Sequence, residues 1–287
     1  MFDRNYMDYH SERFMDHSLL FYIDGRLSAL FPANEANGCL YSHGGLTHGG
    51  LLLDKRVKQH SVIALFEELI KYASKNSLET IYYKTIPHIY HEQPAEEDRY
   101  ALYINGADLM EVLASTVINL KDPIKMPKGR KAQISRAKRE GVEVRKITEK
   151  KYFDIFIDME NEILVGKHHT KAVHTSDELY LLYTRFPEQI HLYGAFMGDN
   201  LISGVVIYEY GQAIHTQYMA TNELARAIGA LDLIVSIIIE EYKSKKLWLD
   251  FGVSTEDGGR YLNEGLISQK EGFGGRTNVY ELWKLDL

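Results

Sequence analysis

Two apolar runs, 19–23 and 26–31, flank Asp24-Gly25, a dipeptide that tolerates the positive φ of a tight hairpin, so the pattern predicts strand, turn and strand. A third strand is predicted near 39–42. Past a Gly- and His-bearing loop at 43–50, Val62, Leu65, Phe66, Leu69, Ile70 and Ala73 recur at helical spacing and predict a helix over 57–74. Two further strands, 80–83 and 100–104, are predicted with an acidic loop, 91–99, between them.

The second half repeats this order. Runs 190–197, 201–210 and 213–220, the first two joined by Gly198-Asp199-Asn200, predict an antiparallel meander. In the helix that follows, Ile228, Leu231, Leu233, Ile234, Val235 and Ile237 to Ile239 cover most of the circumference and leave a polar stripe of Asp232, Ser236, Glu240 and Lys243. Strands 247–253 and 278–285 complete the half. The distance from hairpin turn to last strand is 76 positions in the first half (Asp24 to Tyr100) and 80 in the second (Asp199 to Val279), the mark of two copies of one plan. The second copy is fuller, because a strand at 142–147 and helices at 151–165 and 176–186 precede its hairpin. The segments expected are a truncated first copy (1–120), a basic helical connector (121–141) and a second copy (142–287). Long antiparallel strands beside few helices predict an α+β fold of mixed sheets flanked by helices, not a doubly wound nucleotide fold.

Composition narrows the class. The 287 residues are 45% apolar and 25% charged, with 6 Pro and 22 Gly, which excludes a disordered or collagen-like chain. The most apolar stretch, 231–239, is interrupted by Asp232 and Ser236 and is far short of the roughly 20 residues a membrane-spanning helix needs. No basic stretch followed by an apolar core opens the chain, so the cytoplasm is the expected compartment. Cys39 stands alone, which rules out an internal disulfide and a Cys-rich zinc site. The net charge is −7, yet residues 121–146 carry ten basic against three acidic side chains, a local +7 that leaves −14 elsewhere. DNA is therefore not an expected partner, and the local reversal leaves a phosphate-bearing ligand or transfer RNA open.

The succession of strand, two helices, three antiparallel strands, helix, strand, helix and strand over 142–287 resembles the GNAT acyltransferase fold. Arg226-Ala227-Ile228-Gly229-Ala230-Leu231 is similar to the Arg/Gln-x-x-Gly-x-Gly/Ala loop with which GNAT enzymes hold the pyrophosphate of acetyl-CoA at a helix N-terminus, with Leu231 where that pattern has a small residue. The resemblance makes Arg226, Gly229 and Ala230 the cofactor-binding candidates. Two further stretches resemble Fem-type (FemAB-like) aminoacyltransferases and the related BioF2-like acyltransferases. One runs from Lys128 to Val142, similar to Arg/Lys-x-x-Ile-x-x-Ala-x-x-x-Gly-Val. The other is Gln269-Lys270-Glu271-Gly272-Phe273-Gly274-Gly275, similar to Phe-Lys-x-x-Phe-Gly, with Gln269 in place of the aromatic residue. The family is built from two GNAT-like domains, which agrees with the repeat.

The resemblance implies transfer of an acetyl or aminoacyl group to an amine of a cell-envelope precursor or related metabolite. Acetyl-CoA or aminoacyl-tRNA would be the donor, with no tightly bound cofactor. In the family the lysine corresponding to Lys270 stabilises the oxyanion of acyl transfer. Tyr261 falls where GNAT enzymes carry a tyrosine acting as general acid towards a departing thiolate. Asp250 is the candidate for orienting an acceptor amine, and Ser254 and Asn263 are substrate-binding candidates beside it, with loop capping as the other reading of Ser254. On a helical wheel Lys131, Arg136, Lys138 and Arg139 share one arc of about 160° opposite Ile134 and Ala137, which fits a phosphate clamp or a solvated face. Gly272, Gly274 and Gly275 either let backbone approach a ligand or shape the turn around Phe273. His43, His48, His168, His169 and His174 show no metal-ligand spacing, so no metal is expected. No Ser or Cys nucleophile motif occurs, which favours direct transfer. Two rivals remain open: an acetyl-CoA-dependent N-acetyltransferase of a small molecule, and a non-catalytic protein of the same fold that binds a phosphorylated ligand.

Overall fold

The computed structural model describes residues 1–168 and 171–287, with the main chain alone at 167 and 168. The chain forms two compact units. One comprises Met1–Ala114, Thr255–Leu262 and Asn278–Leu287, and the other Ser115–Ser254 and Asn263–Thr277. This division cuts the chain differently from contiguous segments 1–120, 121–141 and 142–287.

The first unit opens with helix α1 (Arg4–Met7), capped by the Asp3 carboxylate, and strand β1 (Met15–Asp16). Strands β2 (Leu19–Ile23) and β3 (Arg26–Phe31) form the expected hairpin, with φ of 50° at Asp24 and 75° at Gly25 supplying its turn. They are followed by β4 (Asn34–Ala36), β5 (Cys39–Tyr41) and β6 (Leu52–Leu53), the last of which pairs with β3. Helix α2 (Gln59–Lys75) buries Val62, Leu65, Phe66, Leu69 and Ala73, the face its spacing marks out. Strand β7 (Thr80–Lys84) then runs parallel to β5.

The strand predicted at 100–104 is instead helix α3 (Glu97–Ile104). Glu97 and Asp98 suit the positive end of a helix, and Ala101 and Leu102 are its buried apolar residues, while Tyr100, Tyr103 and Ile104 are exposed. The match between Tyr100 and Val279 as last strands of two copies therefore fails. The strand that follows, β8 (Asp108–Asn119), escaped the pattern because its first half is largely exposed and its apolar residues do not alternate.

The second unit contains α4 (Lys128–Arg139), β9 (Glu143–Ile147), α5 (Lys150–His168), α6 (Ser176–Arg185), β10 (Ile190–Met197), β11 (Asn200–Glu209) and β12 (Ala213–Thr221). A short α7 (Glu223–Ile228) leads into α8 (Ala230–Tyr242) and β13 (Trp248–Val253). The remaining elements are β14 (Thr255–Glu256) and β15 (Tyr261–Leu262) of the first unit, α9 (Glu264–Glu271), and β16 (Arg276–Asp286). Helix α8 buries Leu231, Leu233, Ile234, Val235 and Ile238 as predicted, each such side chain stabilising the fold by about 1.5–3 kcal/mol.

The expected last strand of the second half goes elsewhere. Residues Leu282–Asp286 of β16 pair with Thr80–Lys84 in the first unit, and β13 takes its antiparallel neighbour from Ser115–Asn119 of β8. No helix of the described residues is long and apolar enough to cross a membrane.

Candidate active site

Strands β12 and β13 run parallel for three residue pairs, Ala213 with Trp248, Ile214 with Leu249 and His215 with Asp250, and pairing stops there. Beyond that point Thr216 to Met219 of β12 and Phe251 of β13 line a cleft of about 820 Å³ inside the second unit. Helix α5 contributes Glu160, Ile163 and Leu164, the first turn of α8 adds Leu231 and Asp232, α9 brings Gln269 and Lys270, and α4 contributes Arg130 and Gln133. A concave, mixed polar and apolar site of this size suits a small ligand or the reacting end of a larger one.

Lys270 reaches the cleft because Asn263 caps α9, its Oδ1 accepting from the main-chain N–H of Leu266 at 3.0 Å. The lysine is only 3% exposed, and its Nζ donates to the carbonyls of Gly252 (2.9 Å) and Val253 (2.8 Å). Burial pushes the ammonium down to about 8, with the negative charge of Asp250 opposing that shift. Of its three N–H groups two are thus spent on the end of β13, and one remains for a ligand.

Asp250 has a different place from the one expected. Its carboxylate is fully buried, accepts from Ser115 Oγ and from the main-chain N–H of Gly252 (2.9 Å), and meets His215 Nδ1 at 2.9 Å. It does not line the cleft, so it cannot orient an acceptor amine. What it holds is the Gly252 peptide, whose carbonyl in turn receives Lys270.

The segment expected to cradle a pyrophosphate is tightly packed at its glycine. Gly229 adopts φ of 80° at the joint of α7 and α8, and a Cβ there would lie 2.8 Å from both Cβ and the carbonyl oxygen of Gln133, because α4 packs over this turn. Ala230 is fully buried. Asp232, in the first turn of α8, forms an ion pair with Arg130, which also donates to Gln269 O at 2.8 Å and stacks 4.1 Å from the Phe273 ring centroid. A diphosphate at this helix N-terminus would meet the Asp232 carboxylate as well as the Arg130 and Arg226 guanidinium groups, and that carboxylate disfavours coenzyme A held in the GNAT manner. Arg226 alone of the three cofactor candidates faces the cleft.

The basic arc also lies elsewhere than expected for a clamp in the site. Lys131, Arg136, Lys138 and Arg139 are exposed and do not line the cleft, whereas Arg130 of the same helix does. Gly272 and Gly275 are in close contact with Arg130 and the Thr116 methyl, and Gly274, at φ of 95°, lies against Ile124 O. These glycines shape the turn that seats Phe273, whose buried ring stacks on Phe251 at 5.6 Å. Asn263 is on the cleft wall, and Ser254 is fully buried with its Oγ unpartnered among the described residues. Tyr261 is 59% exposed, belongs to the first unit and is not on the cleft, so a role as acid here has no support.

Two cleft residues escaped the sequence reading. Glu160 follows Phe153, Phe156 and Ile157 on the buried face of α5, so an acid at the i+7 position of an apolar stripe was the available signal. It is 9% exposed, its Oε2 has no hydrogen-bond partner among the described residues, and burial pushes its carboxyl up to about 7. Tyr218 of β12 accepts from the His174 main-chain N–H (3.2 Å), lies 2.6 Å from His174 Nδ1, and is pushed up to about 12, mainly by burial. His43 stacks on His10 at 5.2 Å and His48 lies 4.5 Å from Tyr90, both in the first unit. Among the described residues no group of three potential ligands could hold a metal, while His169 and the His168 side chain lie outside them.

Residues 128–261 match the profile of the acetyltransferase (GNAT) domain family. Several solved structures share the fold. FemX has a TM-score of 0.73 at 9% identity, over 99% of this chain and 91% of that one. L-PGS from Bacillus licheniformis has a TM-score of 0.65 at 14% identity, over 98% and 91%. A tandem GNAT protein from the clavulanic acid biosynthesis pathway has a TM-score of 0.54 at 12% identity, over 99% and 88%. No curated protein matches the sequence. The fold is thus the α+β, tandem GNAT-like one that the order of elements predicts.

Proposed function

We propose that the chain is an acyltransferase that moves an aminoacyl group from an ester donor, a charged transfer RNA, to an amine of a cell-envelope precursor or related metabolite. The observation that carries this reading is the buried Lys270 ammonium, anchored by two carbonyls with one N–H left in the cleft. Attack of an amine on an ester carbonyl gives a tetrahedral oxyanion, and a fixed cation in a site of low dielectric stabilises that charge far more than water does. Two further observations favour an aminoacyl ester over acetyl-CoA. The helix N-terminus that would hold a pyrophosphate carries the Asp232 carboxylate in its first turn. The exposed basic face of α4 offers Lys131, Arg136, Lys138 and Arg139 to a polyanionic donor. The acceptor class follows from the Fem-type resemblance of the segments around Arg130 and Lys270.

Incubation of the purified protein with transfer RNA charged with a mixture of radiolabelled amino acids, and with n-butylamine as a generic acceptor, tests the reading. The expected result is protein-dependent formation of aminoacyl butylamides, together with no saturable acetyl-CoA binding in calorimetry at millimolar ligand. Butylamide formation from acetyl-CoA but not from charged transfer RNA would overturn the choice of donor.

A further inference from the structure

Among the described residues, Glu160 is the acid of the cleft that no ion pair accounts for. Asp232, the other acid on the wall, is paired with Arg130. Among the described residues, the charged or titratable groups that line the cleft with Glu160 are Tyr218 on β12, with His174 behind it, and Arg130, Arg226, Asp232 and Lys270. Tyr218 is already engaged by His174 through both its main-chain N–H and Nδ1. Lys270 is anchored to Gly252 and Val253. A carboxyl nine-tenths buried with an unpartnered oxygen costs stability, and such a cost is retained where a ligand completes the site. The lining of the cleft thus includes one anchored cation and, among the described residues, one acid without an ion pair.

We propose that Glu160 is the general base of the acceptor side, receiving the acceptor's ammonium group and taking its proton. This rests on the acyl-transfer reading above. The Glu160 carboxylate removes one proton from R–NH3⁺, and the freed lone pair forms the C–N bond to the ester carbonyl while the C=O pair moves onto oxygen, facing Lys270. As the C–O ester bond breaks, the departing alkoxide takes a second proton from nitrogen. The products are an amide and the ribose hydroxyl, and Glu160 passes its proton to water. An amine bound as ammonium is inert until this first transfer, so a base of matched strength is needed at neutral pH. Burial sets Glu160 in that range.

The test uses n-butylammonium chloride as the probe, titrated calorimetrically into the intact protein at about pH 7 in two buffers of different ionisation enthalpy. Pairing with a cation draws Glu160 into its ionised form, so wild type should release about half a proton per amine bound. Glu160→Gln should bind the amine at least about tenfold more weakly and release none. Equal affinity and equal proton release in both proteins would overturn the proposal. Glu160→Gln leaves no anchor unsatisfied, since Oε2 has no partner to lose, and its thermal unfolding serves as the folding control. Transfer to n-butylamine at the wild-type rate in Glu160→Gln would overturn the base while leaving the acyl-transfer reading intact. Glu160-dependent amine binding by a wild-type protein that transfers no acyl group would do the reverse.

Discussion

Each unit carries a parallel strand pair joined across a helix, β5 with β7 and β12 with β13, and in each a lysine ammonium sits where the second strand ends. Lys84 is the last residue of β7, and its Nζ donates to Leu46 O at 2.6 Å, with His43 O and Gly44 O at 3.5 Å. Lys270 comes from α9 and meets two carbonyls at the end of β13. Burial lowers both to about 8. The two therefore look alike by titration and differ in what their hydrogens face. Lys84 is surrounded by carbonyls of one loop, which it staples, whereas Lys270 has a hydrogen to spare in a cleft that also holds Glu160. A lysine of lowered pKa is a catalytic candidate only when its surroundings leave a donor free.

The largest effect that separates them is on turnover. Lys270→Met should reduce aminoacyl transfer by about 10²–10³-fold, the usual effect of removing one oxyanion donor. Lys84→Met should leave the rate per folded molecule near wild type and cost about 1–3 kcal/mol of stability, because it strands buried carbonyls. Transfer kinetics and denaturant unfolding on both variants would expose a reversed assignment.

Next in size is Asp250→Asn. The amide retains the shape but loses the charge that supports Lys270 and puts an N–H where Gly252 N or Ser115 donates. Transfer should fall by about tenfold, and the alkaline limb of the pH profile should move to lower pH, a shift that simple loosening of the fold would not produce.

The pH dependence sharpens the contrast between the acid of the cleft and its anchored cation. Transfer needs Glu160 ionised and Lys270 protonated, so kcat/KM should rise through about 7 and fall above about 8. Glu160→Gln should abolish the acidic limb. Stability follows the same groups. The folded-state value of Glu160 lies above its unfolded value of 4.5, so the folded state binds the extra proton, and stability is lost as pH rises from about 4.5 to about 7, by about 3 kcal/mol. Lys270 lies below its unfolded value of 10.5, so its penalty is full below about 8 and is relieved between about 8 and 10.5. Unfolding midpoints across this range should flatten below about 7 in Glu160→Gln alone.

The smallest expected effect concerns coenzyme A. Leu231→Gly restores the small residue of the GNAT loop, yet calorimetry should still detect no acetyl-CoA binding, because the Asp232 carboxylate remains in the first turn of α8.

The sequence was most legible where periodicity and burial coincide. The Asp24-Gly25 hairpin, the apolar face of α2, the three-strand meander and the nearly encircled α8 all follow from local pattern. It failed at α3, where Tyr100, Tyr103 and Ile104 are apolar yet exposed, and at β8, half of which lacks an apolar face. Strand exchange was invisible because β16 pairs with Thr80–Lys84, a choice made by long-range register and not by local residues. Of the site, Lys270 and Arg226 were legible through the motifs that carry them. Arg130 was hidden among neighbouring exposed cations, and Glu160 by a helix read only for its apolar face. Asp250 was singled out from its place on a strand, whereas its contacts with Ser115, His215 and Gly252, visible only in the fold, put it behind the residue whose carbonyl receives Lys270.

The most direct test of the central claim is the rate of aminoacyl transfer from charged transfer RNA to n-butylamine, measured side by side for wild type and Lys270→Met at about pH 7.5, between the two limbs. Wild type should form the butylamide and the variant should lose at least about 100-fold, with both proteins unfolding at similar denaturant concentrations. Equal rates in the two folded proteins would contradict it.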